Sequence, residues 1–122
     1  MENRNCQIEY SGMIHEELKP HPADRIVCVK IGKVHRESFY EMARKYWVMK
    51  LERAVKATHV LVIIDGIVNT VYIPEKWYYS KDIGKEHRLE FEGKENPSSD
   101  YIGMSVISFY GKSQNPVKYI NM

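Results

Sequence analysis

Residues 58–73, THVLVIIDGIVNTVYI, contain two apolar runs separated by Asp65-Gly66. Asp-Gly between such runs is a strong signal of a β-hairpin, because a type I′ turn requires positive φ at both central residues. The two-residue loop predicts three facing pairs, which are Ile64 with Ile67, Val62 with Asn69, and Val60 with Val71. The opposite face carries Leu61, Ile63, Val68 and Thr70. Because both faces are apolar, we expect the hairpin to lie inside a barrel or between two layers.

The composition is that of a folded domain. The chain has 122 residues, of which 43% are hydrophobic and 28% charged, so it can bury a core without metal or disulfide staples. No apolar run approaches the length of a membrane helix, and the first residues lack the pattern of a signal peptide. We therefore expect a cytoplasmic protein that makes no membrane contact, with Cys6 and Cys28 as free thiols.

The chain divides into a short leading segment and one domain. Residues 1–24 contain two prolines and no apolar periodicity, which predicts a flexible N-terminal segment, with residues 7–10 as a possible short strand. Residues 25–122 are then a single domain. Residues 25–57 hold nine Lys and Arg against three Glu, although the whole chain is only +2. Such asymmetry suggests a basic face that could meet a polyanion, while a solvated helix surface is the more common explanation.

The remaining patterns predict short strands and two early helices. Residues 25–31 form a β-branched run, and Ser38 with Glu41 has the spacing of a capping box. The apolar stripe after this cap consists of Phe39, Met42, Ala43, Tyr46 and Trp47. The first helix is predicted to break at 48–50, and a second helix begins at Leu51. The second strand of the hairpin is predicted to end at Pro74 and to be followed by a polar loop at 77–79. Further strands are predicted at 89–93, around 105–109 and at 117–120. This order predicts an α+β fold with a small curved antiparallel sheet or partly open β-barrel and two short helices early in the chain.

Several motifs in the same order resemble a known family. They are Ala43-Arg44-x-x-Trp47, Arg53-Ala54-x-x-Ala57, Asp65-Gly66-Ile67-Val68-x-x-Val71-Tyr72, Trp77, Phe91-x-Gly93, Tyr101-x-Gly103 and Gln114-Asn115-Pro116-Val117-x-Tyr119. Together they resemble the PUA-like superfamily of small barrels, of the ASCH and EVE type, in a bacterial and phage domain associated with restriction or GIY-YIG nuclease contexts. The resemblance covers residues 25–122, and it implies binding of RNA or of modified DNA bases. Met104 stands where this pattern has a lysine, which weakens any phosphate contact at that position.

Cations and aromatic rings supply what a nucleic-acid-binding groove needs, since cations contact phosphates and rings stack on bases. The candidate nucleic-acid-binding residues are Arg44, Lys45, Trp47, Lys76, Trp77, Tyr78 and Tyr79. Five of the seven have a structural alternative. Trp47 lies on the apolar stripe, Arg44 could pair with Glu41, and the aromatic triplet could anchor a loop, although three successive rings should leave at least one partly exposed.

Enzyme motifs are missing from the sequence. No serine or cysteine stands in a nucleophile motif, and neither a P-loop nor a dinucleotide-binding fingerprint occurs. Scattered acids could bind a metal, but they are more often a solvated strand edge; they are Asp82, Glu86, Glu90, Glu92 and Glu95. We therefore expect no catalytic residue, no metal and no cofactor, and a nucleic-acid-binding module. The alternatives are a small nuclease-associated enzyme domain and a protein-interaction or dimerisation domain.

Overall fold

The computed structural model describes residues 15–32, 38–111 and 115–122. The possible strand at 7–10, Cys6 and Gln114 lie outside these ranges. The elements in chain order are β1 (Ile26–Lys30), α1 (Phe39–Arg44), β2 (Lys45–Trp47), α2 (Leu51–Ala54), β3 (His59–Ile64), β4 (Ile67–Tyr79), β5 (Leu89–Glu95), α3 (Ile107–Tyr110) and β6 (Val117–Ile120).

The strands form one sheet in the order β2-β5-β4-β3-β1-β6. This sheet curls into a half-barrel with short helices, which confirms the predicted α+β fold with a partly open barrel. The sheet is mixed rather than antiparallel, because β1 and β3 pair in parallel. Parallel neighbours need a crossover connection, and here the crossover contains α1, β2 and α2. The crossover therefore carries β2 to the sheet edge opposite β6.

Each face of the sheet is covered by its own apolar cluster. The first cluster comprises Val27, Val29, Ala43, Trp47, Met49, Ala54, Val60, Val62, Tyr72, Trp77, Leu89, Phe91 and Val117. The second comprises Leu18, Ile26, Cys28, Leu61, Ile63, Val68, Val71, Val106, Tyr110 and Ile120. Alternate residues of β1 and β3 enter different clusters, as the period of two in a strand requires. This confirms that the central hairpin is buried on both faces.

The turn of the hairpin is as predicted, but its register is not. Asp65 has φ 52° and Gly66 has φ 79°, and Ile64 faces Ile67. The register then shifts, so that Val62 faces Thr70 instead of Asn69. Asn69 is the extra residue of a β-bulge, which a register counted outward from the turn cannot anticipate. The predicted pairing of Val60 with Val71 is wrong for the same reason, because Val60 faces Tyr72.

Strand β4 does not end at Pro74. The proline lies within the strand opposite Gly93, and the register shifts between Pro74 and Lys76. Proline lacks the backbone N–H that a regular ladder uses, so a bulge is one of the few places in a sheet that tolerates it. The polar loop predicted at 77–79 is therefore wrong, because these residues continue β4 alongside β5. The strand predicted to close at Gly93 also continues, to Glu95.

Helix α1 begins as predicted and ends early. The hydroxyl of Ser38 accepts a hydrogen bond from the backbone N–H of Glu41, which confirms the N-cap. The helix ends at Arg44, and Tyr46 and Trp47 belong to β2, so the proposed helical stripe is wrong in its second half. Helix α2 confirms the second predicted helix at Leu51.

The ends of the described chain pack on the half-barrel and supply its edge strand β6. The predicted strand around 105–109 is wrong, because α3 occupies Ile107–Tyr110 and Ser105 makes only isolated β-bridges. The predicted strand at 117–120 is confirmed as β6. Leu18 is 2% exposed and its N–H donates to the carbonyl of Ser105, although the boundary at residue 24 stays a prediction. Among the described residues, no helix has the length and apolar character needed to cross a membrane.

Candidate functional site

A charged cleft of about 380 Å³ lies where β2 meets β5 and β4. Its lining consists of Arg44, Lys45, Lys76, Tyr78, Lys81, Asp82, Glu90 and Glu92. Four of the seven candidate nucleic-acid-binding residues are thus brought together, namely Arg44, Lys45, Lys76 and Tyr78. We call this depression the lysine cleft, because its cations other than Arg44 are lysines.

Strand β2 is too short to cover β5, and α1 covers the remaining edge. Strand β2 pairs only with Leu89 and Glu90 of β5. Beyond them, Arg44 Nε donates to the carbonyl of Phe91 at 3.0 Å, and the backbone N–H of Gly93 donates to the hydroxyl of Tyr40 at 3.0 Å. Two side chains of α1 therefore satisfy backbone groups that a longer β2 would have paired.

The guanidinium of Arg44 is the centre of a polar network. Its Nη1 donates to Glu41 Oε1 at 2.9 Å, and its Nη2 lies 3.1 Å from Glu90 Oε1 and also donates to the hydroxyl of Tyr78. That hydroxyl in turn donates to Glu92 Oε2 at 2.9 Å. Glu90 is only 6% exposed, so its charge is compensated inside the protein by Arg44. Arg44 therefore positions the floor of the cleft and has few donors left for a ligand.

The network also fixes protonation states. Burial lowers the pKa of Arg44, but its interactions with Tyr78, Glu41 and Glu90 outweigh this and raise the pKa overall, so the group stays charged. Burial, together with the hydrogen bond to Glu92, raises the pKa of Tyr78 to about 12. Tyr78 therefore remains a neutral donor at physiological pH.

Three lysines line the cleft, and two of them lie beside tyrosine rings. The ammonium of Lys76 lies 5.4 Å from the centroid of the Tyr78 ring, and that of Lys45 lies 5.2 Å from the Tyr46 ring. Both distances are within the range of cation–π attraction. Lys76 and Lys81 are exposed, whereas Lys45 is mostly covered and lies 3.4 Å from Glu41 Oε1.

The two tryptophans lie beneath the cleft rather than in it. Trp47 is 8% exposed and its Nε1 donates to the carbonyl of Ala43 at 2.9 Å. Trp77 is also 8% exposed, with its ring centroid 5.2 Å from that of Phe91. Tyr79, by contrast, is 48% exposed, which confirms that one ring of the triplet remains accessible. Trp47 is therefore a core residue, as its structural alternative predicts, whereas Trp77 is buried in strand β4 and does not anchor a loop.

The acids considered as metal ligands separate into different environments. Asp82, Glu90 and Glu92 line the lysine cleft, while Glu86 Oε1 accepts from the backbone N–H of Gly84. Within residues 15–32, 38–111 and 115–122, no group of three or more His, Cys, Asp or Glu is arranged to hold a metal ion.

Lys81 was not among the candidate residues. Its only signal in the sequence was its position two residues after the aromatic triplet.

No family model, no curated protein and no solved structure matches the chain. The resemblance to PUA-like barrels therefore stays a prediction.

Proposed function

We propose that the protein is a nucleic-acid-binding module, for RNA or DNA with modified bases, and that the lysine cleft is its binding site. The observation that carries the proposal is that Lys45, Lys76 and Lys81 line one cleft together with the half-buried ring of Tyr78, which Lys76 overlies. Lysine ammonium groups contact phosphates as point charges, and aromatic rings stack on bases of any identity.

The exposed lysines of the cleft support an anionic ligand once the paired groups are set aside. Arg44 and Glu90 neutralise each other at 3.1 Å below the surface. The remaining lining has Lys45, which is paired with Glu41 at 3.4 Å, and the exposed Lys76 and Lys81. The carboxylates of Asp82 and Glu92 accept the hydroxyls of Tyr46 and Tyr78. The cleft is therefore close to neutral overall, and its two exposed lysines suit a few phosphates rather than a long duplex.

Lys76 covers the Tyr78 ring in the free protein and contacts a phosphate in the complex. In the free protein its ammonium lies over the Tyr78 ring at 5.4 Å. A base that stacks on this ring displaces the ammonium, which is then released toward the neighbouring phosphate. A base can reach the ring only when it is unstacked, so the proposal favours a single strand, or a base flipped out of a duplex.

A direct test uses fluorescence anisotropy with short oligonucleotides. The set contains single-stranded RNA, single-stranded DNA, and duplex DNA with and without modified bases. We expect the wild type to bind at least one of them, and Lys76→Ala to weaken that binding. Lys56→Ala is the matched control, because Lys56 is exposed and lies outside the cleft lining.

Equal losses from Lys76→Ala and Lys56→Ala would show that any binding is non-specific attraction to a basic protein. Failure of the wild type to bind any oligonucleotide at low salt would overturn the proposal. In that case a protein-interaction role, the alternative from the sequence, becomes the better account.

A further inference from the structure

A second and larger cavity, of about 620 Å³, lies at the amino ends of the parallel strands β1 and β3. The loop that follows β5 forms its other side. The lining consists of Lys19, His21, Asp24, His59, Asn96, Ser98, Ser99, Asp100 and Tyr101. We call it the polar cavity. It shares no lining residue with the lysine cleft.

Contacts between distant parts of the chain hold one wall of the polar cavity. The hydroxyl of Tyr101 donates to Asp24 Oδ2 at 2.5 Å, and His59 Nε2 lies 3.8 Å from the same oxygen. The amide Nδ2 of Asn121 donates to the carbonyl of Asp24 at 2.9 Å. Because residues from four separate segments meet at Asp24, this wall is formed before any ligand arrives, as pre-organised sites require.

The imidazole of His59 is held from both sides. Its Nδ1 lies 2.7 Å from Thr58 Oγ1, and the Tyr101 ring meets its ring edge-to-face, with centroids 5.7 Å apart at 73°. The two rings are nearly perpendicular, so they form an apolar corner next to the Asp24 carboxylate. A site with a fixed apolar corner and adjacent polar groups suits a small ring-shaped ligand.

The charges of the lining disfavour a strongly charged ligand. Lys19 is the lysine of the cavity, and Asp24 and Asp100 are its carboxylates. An anion would face both carboxylates, while a cation would face Lys19 and compete with Tyr101 for Asp24. Asn96, Ser98 and Ser99 add groups that both donate and accept hydrogen bonds. A neutral hydroxyl, which also donates and accepts, matches this mixture.

We propose that the polar cavity is a second ligand site, which binds a small neutral molecule carrying adjacent hydroxyl groups. The sugar of a ribonucleoside and a free monosaccharide both present this chemistry. Asp100 accepts from one hydroxyl and Ser98 pairs with a neighbouring one, while the sugar ring packs on His59 and Tyr101. This site does not depend on nucleic-acid binding at the lysine cleft.

Heteronuclear NMR titration of the full chain tests the proposal with defined probes, which are adenosine, 2′-deoxyadenosine, ribose, inorganic phosphate and ammonium. We expect adenosine or ribose to shift the backbone amide signals of residue 96 and of residues 98–101. Binding of both probes identifies the sugar as sufficient, and binding of adenosine alone shows that the base contributes. Asp100→Asn should weaken binding about tenfold, the effect of one hydrogen bond to a charged group.

Glu52→Gln is the matched control, because Glu52 is an exposed acid on α2 and should leave the affinity unchanged. Equal affinity for adenosine and 2′-deoxyadenosine would overturn the proposal, since the adjacent hydroxyls would then not be recognised. The absence of shifts at 96–101 with adenosine and ribose, or shifts there only with phosphate or ammonium, would overturn it as well.

Discussion

Arg44 Nη2 lies 3.1 Å from Glu90 Oε1, and both side chains are largely shielded from water. The pair joins α1 to β5 at the point where β2 begins. It also holds the Tyr78 hydroxyl, which donates to Glu92 on the other side of the lysine cleft. The shape of the cleft therefore depends on this ion pair.

Arg44→Ala should destabilise the fold by about 3 kcal/mol, because it leaves the Glu90 carboxylate buried without its partner. The free energy of unfolding from denaturant titration measures this. Arg53→Ala is the matched control. Its exposed guanidinium lies over the Tyr119 ring, so its loss should cost about 1 kcal/mol or less. Similar costs for the two variants would contradict the role assigned to Arg44.

Gly93→Ala should destabilise the fold more than Gly66→Ala. A Cβ at Gly93 would lie 2.4 Å from the carbonyl oxygen of Ile73 and 2.9 Å from Pro74 Cα, both of them backbone atoms of β4. At Gly66 the Cβ would meet only the exposed side chain of Ile107, although the φ of 79° adds strain. We expect about 3 kcal/mol for Gly93 and about 1–2 kcal/mol for Gly66 in unfolding experiments. A larger cost for Gly66→Ala than for Gly93→Ala would show that β4 and β5 can move apart at the bulge.

Ser38→Ala should cost about 1 kcal/mol, because the backbone N–H of Glu41 loses its acceptor at the start of α1. Ser98→Ala is a suitable comparison, since Ser98 is exposed in a loop and starts no helix. Thermal or denaturant unfolding measures both variants. A cost at Ser38 no larger than that at Ser98 would mean that the cap does not stabilise α1.

The free energy of unfolding should fall as the pH rises from about 9 to about 12. Burial raises the pKa of Cys28 from 9.0 and those of Tyr72 and Tyr78 from 10.0, each to about 12. As the pH rises, the unfolded chain therefore loses these protons before the folded chain does. The contribution of these groups to the free energy of unfolding is fully present below about pH 9 and is lost by about pH 12. Tyr78→Phe should make this decline shallower in denaturant titrations across the range. An unchanged slope would contradict the raised pKa of Tyr78.

Signals that act within a few residues were sufficient to predict parts of the fold. The Asp65-Gly66 turn and the Ser38 cap depend only on neighbouring positions, and both are confirmed. The course of β4 past Pro74 was not predictable in this way, because the bulge depends on Gly93 in another strand. Local rules therefore placed the elements better than they placed the strand boundaries.

The candidate site was predictable in part for a similar reason. The sequence predicts Lys45, Lys76 and Tyr78 as part of a cation–aromatic set, and these residues line one cleft. Trp77 is buried because alternate side chains of β4 point to opposite faces of the sheet. A sequence reading that places residues 77–79 in a loop does not predict this alternation. The pairing of Arg44 with Glu90 joins two elements far apart in the chain, so no local pattern indicates it.

The salt dependence of nucleic-acid affinity tests the central claim most directly. The measurement compares the wild type with the double variant Lys76→Ala/Lys81→Ala on the single-stranded oligonucleotide that binds best. Each lysine lost from a phosphate should reduce the slope of log K against log salt by about 0.7, so the double variant should lose about 1.4. A wild type that shows no binding at low salt, or a slope that the double variant leaves unchanged, would contradict the assignment of the lysine cleft as the binding site.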